Sequence, residues 1–176
     1  MRTTARCSAI RQYEAVRILT VANFMAISVA LTLASTAIAS AAPPDVSTMP
    51  LSAKLRACDF SQLKWVDAVG DARPIAHLGT TGQGTVTAQV DIATAQPNTH
   101  YDVRVIQMPR ASIGCAPGDP GVIVGGLTTD GVGAGSTSLQ GPVASGKTGA
   151  WVVVSRPAPN SLTPAEFYTT TFVAAI

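Results

Sequence analysis

Between residues 85 and 94 the chain alternates without a break. Val86, Ala88, Val90 and Ile92 fall on one side, and Thr85, Thr87, Gln89 and Asp91 on the other. Residues 99–107 repeat the pattern, with Tyr101, Val103 and Val105 set against His100, Asp102 and Arg104. Successive side chains of an extended strand point to opposite faces, so a period of two predicts strands buried on one side. Four more β-rich runs lie at 122–129, 135–140, 150–156 and 167–174, and a short apolar run at 63–69 surrounds Trp65. Asp130-Gly131, between two of these runs, is a hairpin-turn signal. No apolar stripe of helical period and useful length appears after residue 41. About seven short strands separated by Gly, Pro and Asn turns predict an all-β fold, an antiparallel β-sandwich.

The N-terminal segment follows a different pattern. Arg2, Arg6, Arg11 and Arg17 precede a stretch from Ile18 to Pro44 that carries no charge, and this closes on Ala37-Ile38-Ala39-Ser40-Ala41-Ala42. A basic start, an apolar middle and an Ala-x-Ala end are the order of a secretory signal peptide, here residues 1–41. Cleavage fits after Ala41 or after Ala39. The alternative is an uncleaved anchor, since a bilayer takes roughly 20 apolar residues; Thr20, Asn23, Ser28, Thr32, Ser35 and Thr36 dilute the stretch and favour cleavage. The expected location is therefore secreted or extracellular, with cell-envelope association as the alternative. Residues 42–57, with three prolines and no periodicity, read as a flexible linker before a sandwich domain at 58–176.

Removing the signal changes the charge. It takes four arginines and Glu14 with it, leaving eight basic against nine acidic side chains, a net charge near −1. The basic balance of the whole chain thus belongs to the signal, and no basic patch points to nucleic acid. Two cysteines remain, Cys58 and Cys115. In an oxidising compartment two thiols in one small domain are expected to pair, and neither a Cys-x-x-Cys nor a metal-ligand spacing competes with that reading.

Residues Ala95-Gln96-Pro97-Asn98-Thr99-His100-Tyr101-Asp102-Val103-Arg104-Val105 carry a family resemblance. They are similar to the turn and strand of fibronectin type III domains, which read Leu-x-Pro-x-Thr-x-Tyr-x-Val-x-Val. The resemblance implies that Tyr101 forms a corner whose hydroxyl bonds nearby backbone. Ala95 stands where leucine is usual, and the chain runs on well past the single further strand of those modules. The resemblance therefore implies an immunoglobulin-like β-sandwich and not the family. In overall layout the chain also resembles small secreted proteins of actinobacteria, which implies a compartment and a shape but no activity.

Gly141-Pro142-Val143-Ala144-Ser145-Gly146-Lys147-Thr148 matches the phosphate-loop pattern letter for letter. That chemistry needs a helix after the loop, whose N-terminus cradles phosphate. Trp151 to Ser155 is instead a β-branched run ended by Pro157, so a strand connection is expected and no nucleotide. Gly131-Val132-Gly133-Ala134-Gly135 lacks the βαβ frame of a dinucleotide loop. Asp119 and Asp130 are too few to fill the six to eight oxygen positions calcium takes. His77 and His100 lack the partners of a catalytic set, and Glu166 with eight aspartates offers no defined carboxylate pair. No catalytic, cofactor or metal residues are assigned. The expected function is a secreted non-enzymatic module that binds a protein or envelope component through loops or a sheet face. Its alternatives are an extracellular carrier of a small apolar ligand and a signal-anchored membrane protein.

Overall fold

The computed structural model describes residues 45–64, 66 and 70–176. The signal-peptide reading and Trp65 lie outside them. Nine strands follow in chain order: β1 Ser47–Ser52, β2 Ile75–Thr81, β3 Thr85–Ile92, β4 His100–Met108, β5 Val122–Thr128, β6 Gly135–Pro142, β7 Gly149–Arg156, β8 Glu166–Thr170 and β9 Ala174–Ala175. Every pairing is antiparallel. The strands lie in the order β5-β4-β7-β8-β1-β2-β3-β6, and β9 pairs with β7. The two ends of this path come together: the Leu139 side chain of β6 lies over Gly125 of β5, and Ile123 of β5 over Gly141 of β6. Side chains, rather than a ladder of main-chain bonds, bring the sheet close to a barrel. A Cβ added at Gly141 would sit 2.9 Å from Ile123, so the seam depends on glycine there.

The alternating runs become strands in the expected register. Val86, Ala88, Val90 and Ile92 of β3 and Tyr101, Val103 and Val105 of β4 are buried in the inner core. β7 is buried along its whole length except Arg156. Its Ala150, Val152 and Val154 face inward, while Trp151 and Val153 join Ile106 in a separate outer cluster. A strand covered on both faces needs an unbroken apolar run, which residues 150–154 supply. Burying one such side chain is worth about 1.5–3 kcal/mol.

Two strands depart from the expected plan; with the short β9 they add three, while the run at 63–69 contributes none among the described residues, so about seven become nine. Residues 42–57 were expected to form a flexible linker, yet Ser47–Ser52 form β1 in the middle of the sheet, with Met49 and Leu51 in the core. β1 pairs with β2 as far as Pro50 and with β8 from Leu51. Proline has no N–H to give a ladder, and Pro50 stands where β1 exchanges one neighbour for the other. β2 has no counterpart among the expected runs. Its Ala76 and Leu78 face inward, but Gly79 breaks the alternation before it becomes long enough to recognise. Of the run at 63–69, Leu63, Lys64 and Val66 are not in a strand.

Cys58 and Cys115 are joined in a disulfide, with Cα atoms 5.6 Å apart. The bond fastens a strap, residues 53–63, across the outer side of β7 and β8, where Thr169 Oγ1 donates to Lys54 O and Phe60 packs on Trp151. Among the described residues no helix is long and apolar enough to cross a membrane.

Candidate functional site

The most concentrated chemistry lies at one end of the barrel. Glu166 and Arg156 are cross-strand partners at the ends of β8 and β7, and both face inward. Glu166 is buried and accepts three bonds: Tyr101 Oη at 2.8 Å, Arg156 Nε at 3.2 Å and Tyr168 Oη. Tyr101 Oη in turn accepts from the Gln96 amide at 3.3 Å, five residues upstream. Tyr168 Oη accepts from Ala72 N at 2.9 Å. Gly70, at φ 124°, passes directly over this group, and a Cβ there would collide with both Tyr168 and Glu166. The carboxylate thus accepts from three fixed donors, two on Oε2 and one on Oε1. A network of this kind locks strands together.

The two phenols feel this environment. Burial raises the Tyr168 hydroxyl well above the ordinary phenol range, and its bond to Glu166 raises it further; Tyr101 is raised by the same causes in the same order. A folded-state pKa above the unfolded one contributes stability that is complete below the unfolded value, 10.0, and is lost as pH rises above it. Urea midpoints measured from pH 8 to 11 should therefore fall above pH 10. The fall should be shallower in Tyr168→Phe, and equal slopes in the two proteins would contradict this account.

A second feature occupies the outer face of β4, β5 and β7. Asp102, Arg104, Val124 and Ser155 line a cleft of about 380 Å³, closed on one side by the proline-rich loop at 157–164. Val124 and Leu162 at its rim are exposed, and Pro117, Pro157 and Pro164 stiffen its walls. Arg104 is held in place by a 3.1 Å bond from Nη1 to Cys115 O. The floor is rigid sheet, and the rim is apolar with one charge of each sign.

The remaining sequence candidates fall into structural roles. Lys147 Nζ donates to Pro109 O at 2.6 Å, and residues 141–148 run from β6 into β7, strand to strand with no helix. Asp130 Oδ1 accepts from the amides of Val132 and Ala134, and Asp119 Oδ2 from Ala116, so each carboxylate shapes its own loop. His100 Nε2 lies 3.3 Å from Asp102 on the exposed face of β4. Sequence reasoning missed one grouping: Thr48 Oγ1 is 3.0 Å from His77 Nδ1, whose Nε2 is 3.9 Å from Asp91. Three strands bring these residues together, so chain spacing gives no sign of it. The trio is open to water, and the long His–Asp contact holds the ring only loosely. Among the described residues no group of three metal-ligating side chains occurs.

No protein-family model, curated protein or solved structure matches the chain.

Proposed function

We propose that the protein is an exported, non-enzymatic binding module that engages a protein partner in the cell envelope or outside the cell through the cleft on β4, β5 and β7. The exposed pair Val124 and Leu162 carries this reading, because they flank a preformed cleft on strands fixed by the core beneath. Apolar groups on a rigid surface, framed by Asp102 and Arg104, are the usual composition of a docking centre with a polar rim. The carrier reading has less support, since the space between the sheet faces is filled by Met49, Leu78, Tyr101, Val103 and their neighbours. Export rests on the signal pattern, and the disulfide suits an oxidising compartment. The immunoglobulin-like reading belongs here too. The division of β1 between β2 and β8 makes two layers, β1-β2-β3-β6 and β5-β4-β7-β8, as a sandwich would have.

The reading is tested by retention of the purified protein on washed envelope fractions. Val124→Asp with Leu162→Asp should lower retention at least tenfold, while the melting temperature stays within about two degrees, because exposed substitutions change stability little. Retention equal to that of the parent protein would remove the cleft as the docking face.

A further inference from the structure

The docking cleft continues beneath the strap. On β4 the outward residues run Asp102, Arg104, Ile106, and on β7 Ser155, Val153, Trp151, with Arg104 opposite Val153 and Ile106 opposite Trp151. Asp102, Arg104 and Ser155 line the open cleft, whereas Ile106, Trp151 and Val153 form the outer apolar cluster under Phe60 and Cys115. One sheet face is thus half open and half covered. The cover lies on the boundary, where Cys115 meets Arg104 and Pro117 forms part of the cleft wall.

The covering strap is largely bonded to itself. Ala57 N donates to Ser61 O at 2.8 Å, Leu63 N to Leu55 O at 2.9 Å and Arg56 Nη1 to Phe60 O at 2.8 Å. Among the described residues its fastenings to the body include the disulfide, Cys58 N to Ser112 O at 3.2 Å, Thr169 Oγ1 to Lys54 O, and Phe60 edge-on to Trp151 with centroids 5.5 Å apart. Closure also carries costs. Phe60 is held at φ 70°, a left-handed conformation that a bulky side chain rarely adopts. The buried donors Trp151 Nε1 and Arg56 Nε have no acceptor among the described residues. Ordering the strap and leaving buried donors without acceptors both oppose the closed state, and the covalent bond offsets them.

We propose that the strap is a redox-released cover, and that reducing Cys58–Cys115 extends the docking face onto Ile106, Trp151 and Val153. The extension rests on the docking reading above; release of the strap does not. A dithiol supplies the electrons, either a small molecule or an exported dithiol protein. One of its thiolates attacks the sulfur of Cys115, the less buried of the pair, and forms a mixed disulfide as the protein S–S bond breaks and Cys58 leaves as the thiolate. Its second thiolate then attacks the first sulfur, which expels Cys115 as the thiolate and leaves the disulfide in the reductant. Two protons end on Cys58 and Cys115. The uncovered face fits a polypeptide segment that places an apolar side chain on Ile106 and Val153 and a main-chain carbonyl on the free indole N–H.

The full exported protein carrying Trp65→Phe, in which Trp151 is the one tryptophan left, is compared oxidised and after treatment with dithiothreitol at 25 °C. Reduction should raise acrylamide quenching of Trp151 severalfold. Hydrogen exchange should quicken at 53–63 and 110–117, while β3 and β6 keep their protection. Cys58→Ser with Cys115→Ser should show the open pattern without reductant. Unchanged quenching with both thiols labelled would overturn the proposal. So would uniform loss of protection across β3 and β6, since the disulfide would then hold the barrel and not a cover. The reduced protein should also be retained more strongly than the oxidised one on the envelope fraction. An opened strap with no gain in retention would overturn the extension. If instead the Val124 and Leu162 substitutions leave retention untouched, the docking reading fails while quenching and exchange still decide the strap.

Discussion

Cys58→Ser should lower the melting temperature of the protein by on the order of ten degrees or more. The bond closes a loop of 57 residues. On the chain-entropy model such a loop removes about 4 kcal/mol of freedom from the denatured state. For a domain of this size each kcal/mol corresponds to roughly 3–5 °C. Cys115→Ser and the double substitution should fall by the same amount, because all three remove one crosslink. Calorimetry on the oxidised proteins makes the comparison. Unequal single substitutions would show that one cysteine acts through packing and not through the bond; Cys58 is the buried member, so the excess would fall there. The same variants should remain folded at room temperature, since domains of this kind hold about 5–15 kcal/mol in reserve.

Glu166→Ala should destabilise by about 3 kcal/mol or more, among the largest losses available to one substitution in this chain. It takes the acceptor from the Tyr101 and Tyr168 hydroxyls at once and leaves Arg156 without its partner. A buried polar group stripped of its partner costs about 1–3 kcal/mol. Glu166→Gln should cost less, since an amide oxygen still accepts one of the donors. Tyr101→Phe combined with Glu166→Ala should cost clearly less than the two separately, because both break one network. Urea denaturation of the four proteins completes the cycle. Simple additivity would mean that Glu166 stabilises the barrel end by some route other than these bonds.

The strands that sequence alone reveals are those with a long, clean alternation. β3 and β4 are legible because four and three consecutive inward positions are apolar and the outward ones polar. β1 is hidden for a physical reason. With Pro50 inside it and Met49 and Leu51 as its inward pair, six residues look like a linker until β2 and β8 arrive to satisfy its backbone. The pairing of Cys58 with Cys115 followed from compartment and count, whereas the strap it fastens depended on which outward residues of β4 and β7 were apolar. Trp151 and Val153 gave that signal, as apolar residues on both faces of one strand imply a cover on each. Glu166 was legible only as a lone carboxylate. Its partners Tyr101 and Tyr168 come from two strands, and one of them lies 65 residues away. The cleft on β4, β5 and β7 was not legible at all, because three strands and a loop compose it and no local pattern records their meeting.

The position of β1 also governs when this protein can fold. Leu51 pairs with Thr170, so the first strand finds one of its neighbours in β8, the last but one in chain order. Pairings that distant must meet the entropy of a long closing loop before any contact rewards them, which slows folding. During synthesis β2 and β3 can form their hairpin early, but the sheet stays in two pieces until β8 exists to accept the second half of β1. Folding is thereby delayed until both partners of β1 have been made. The delay arises from strand order alone, because β1 is the link between the two pieces.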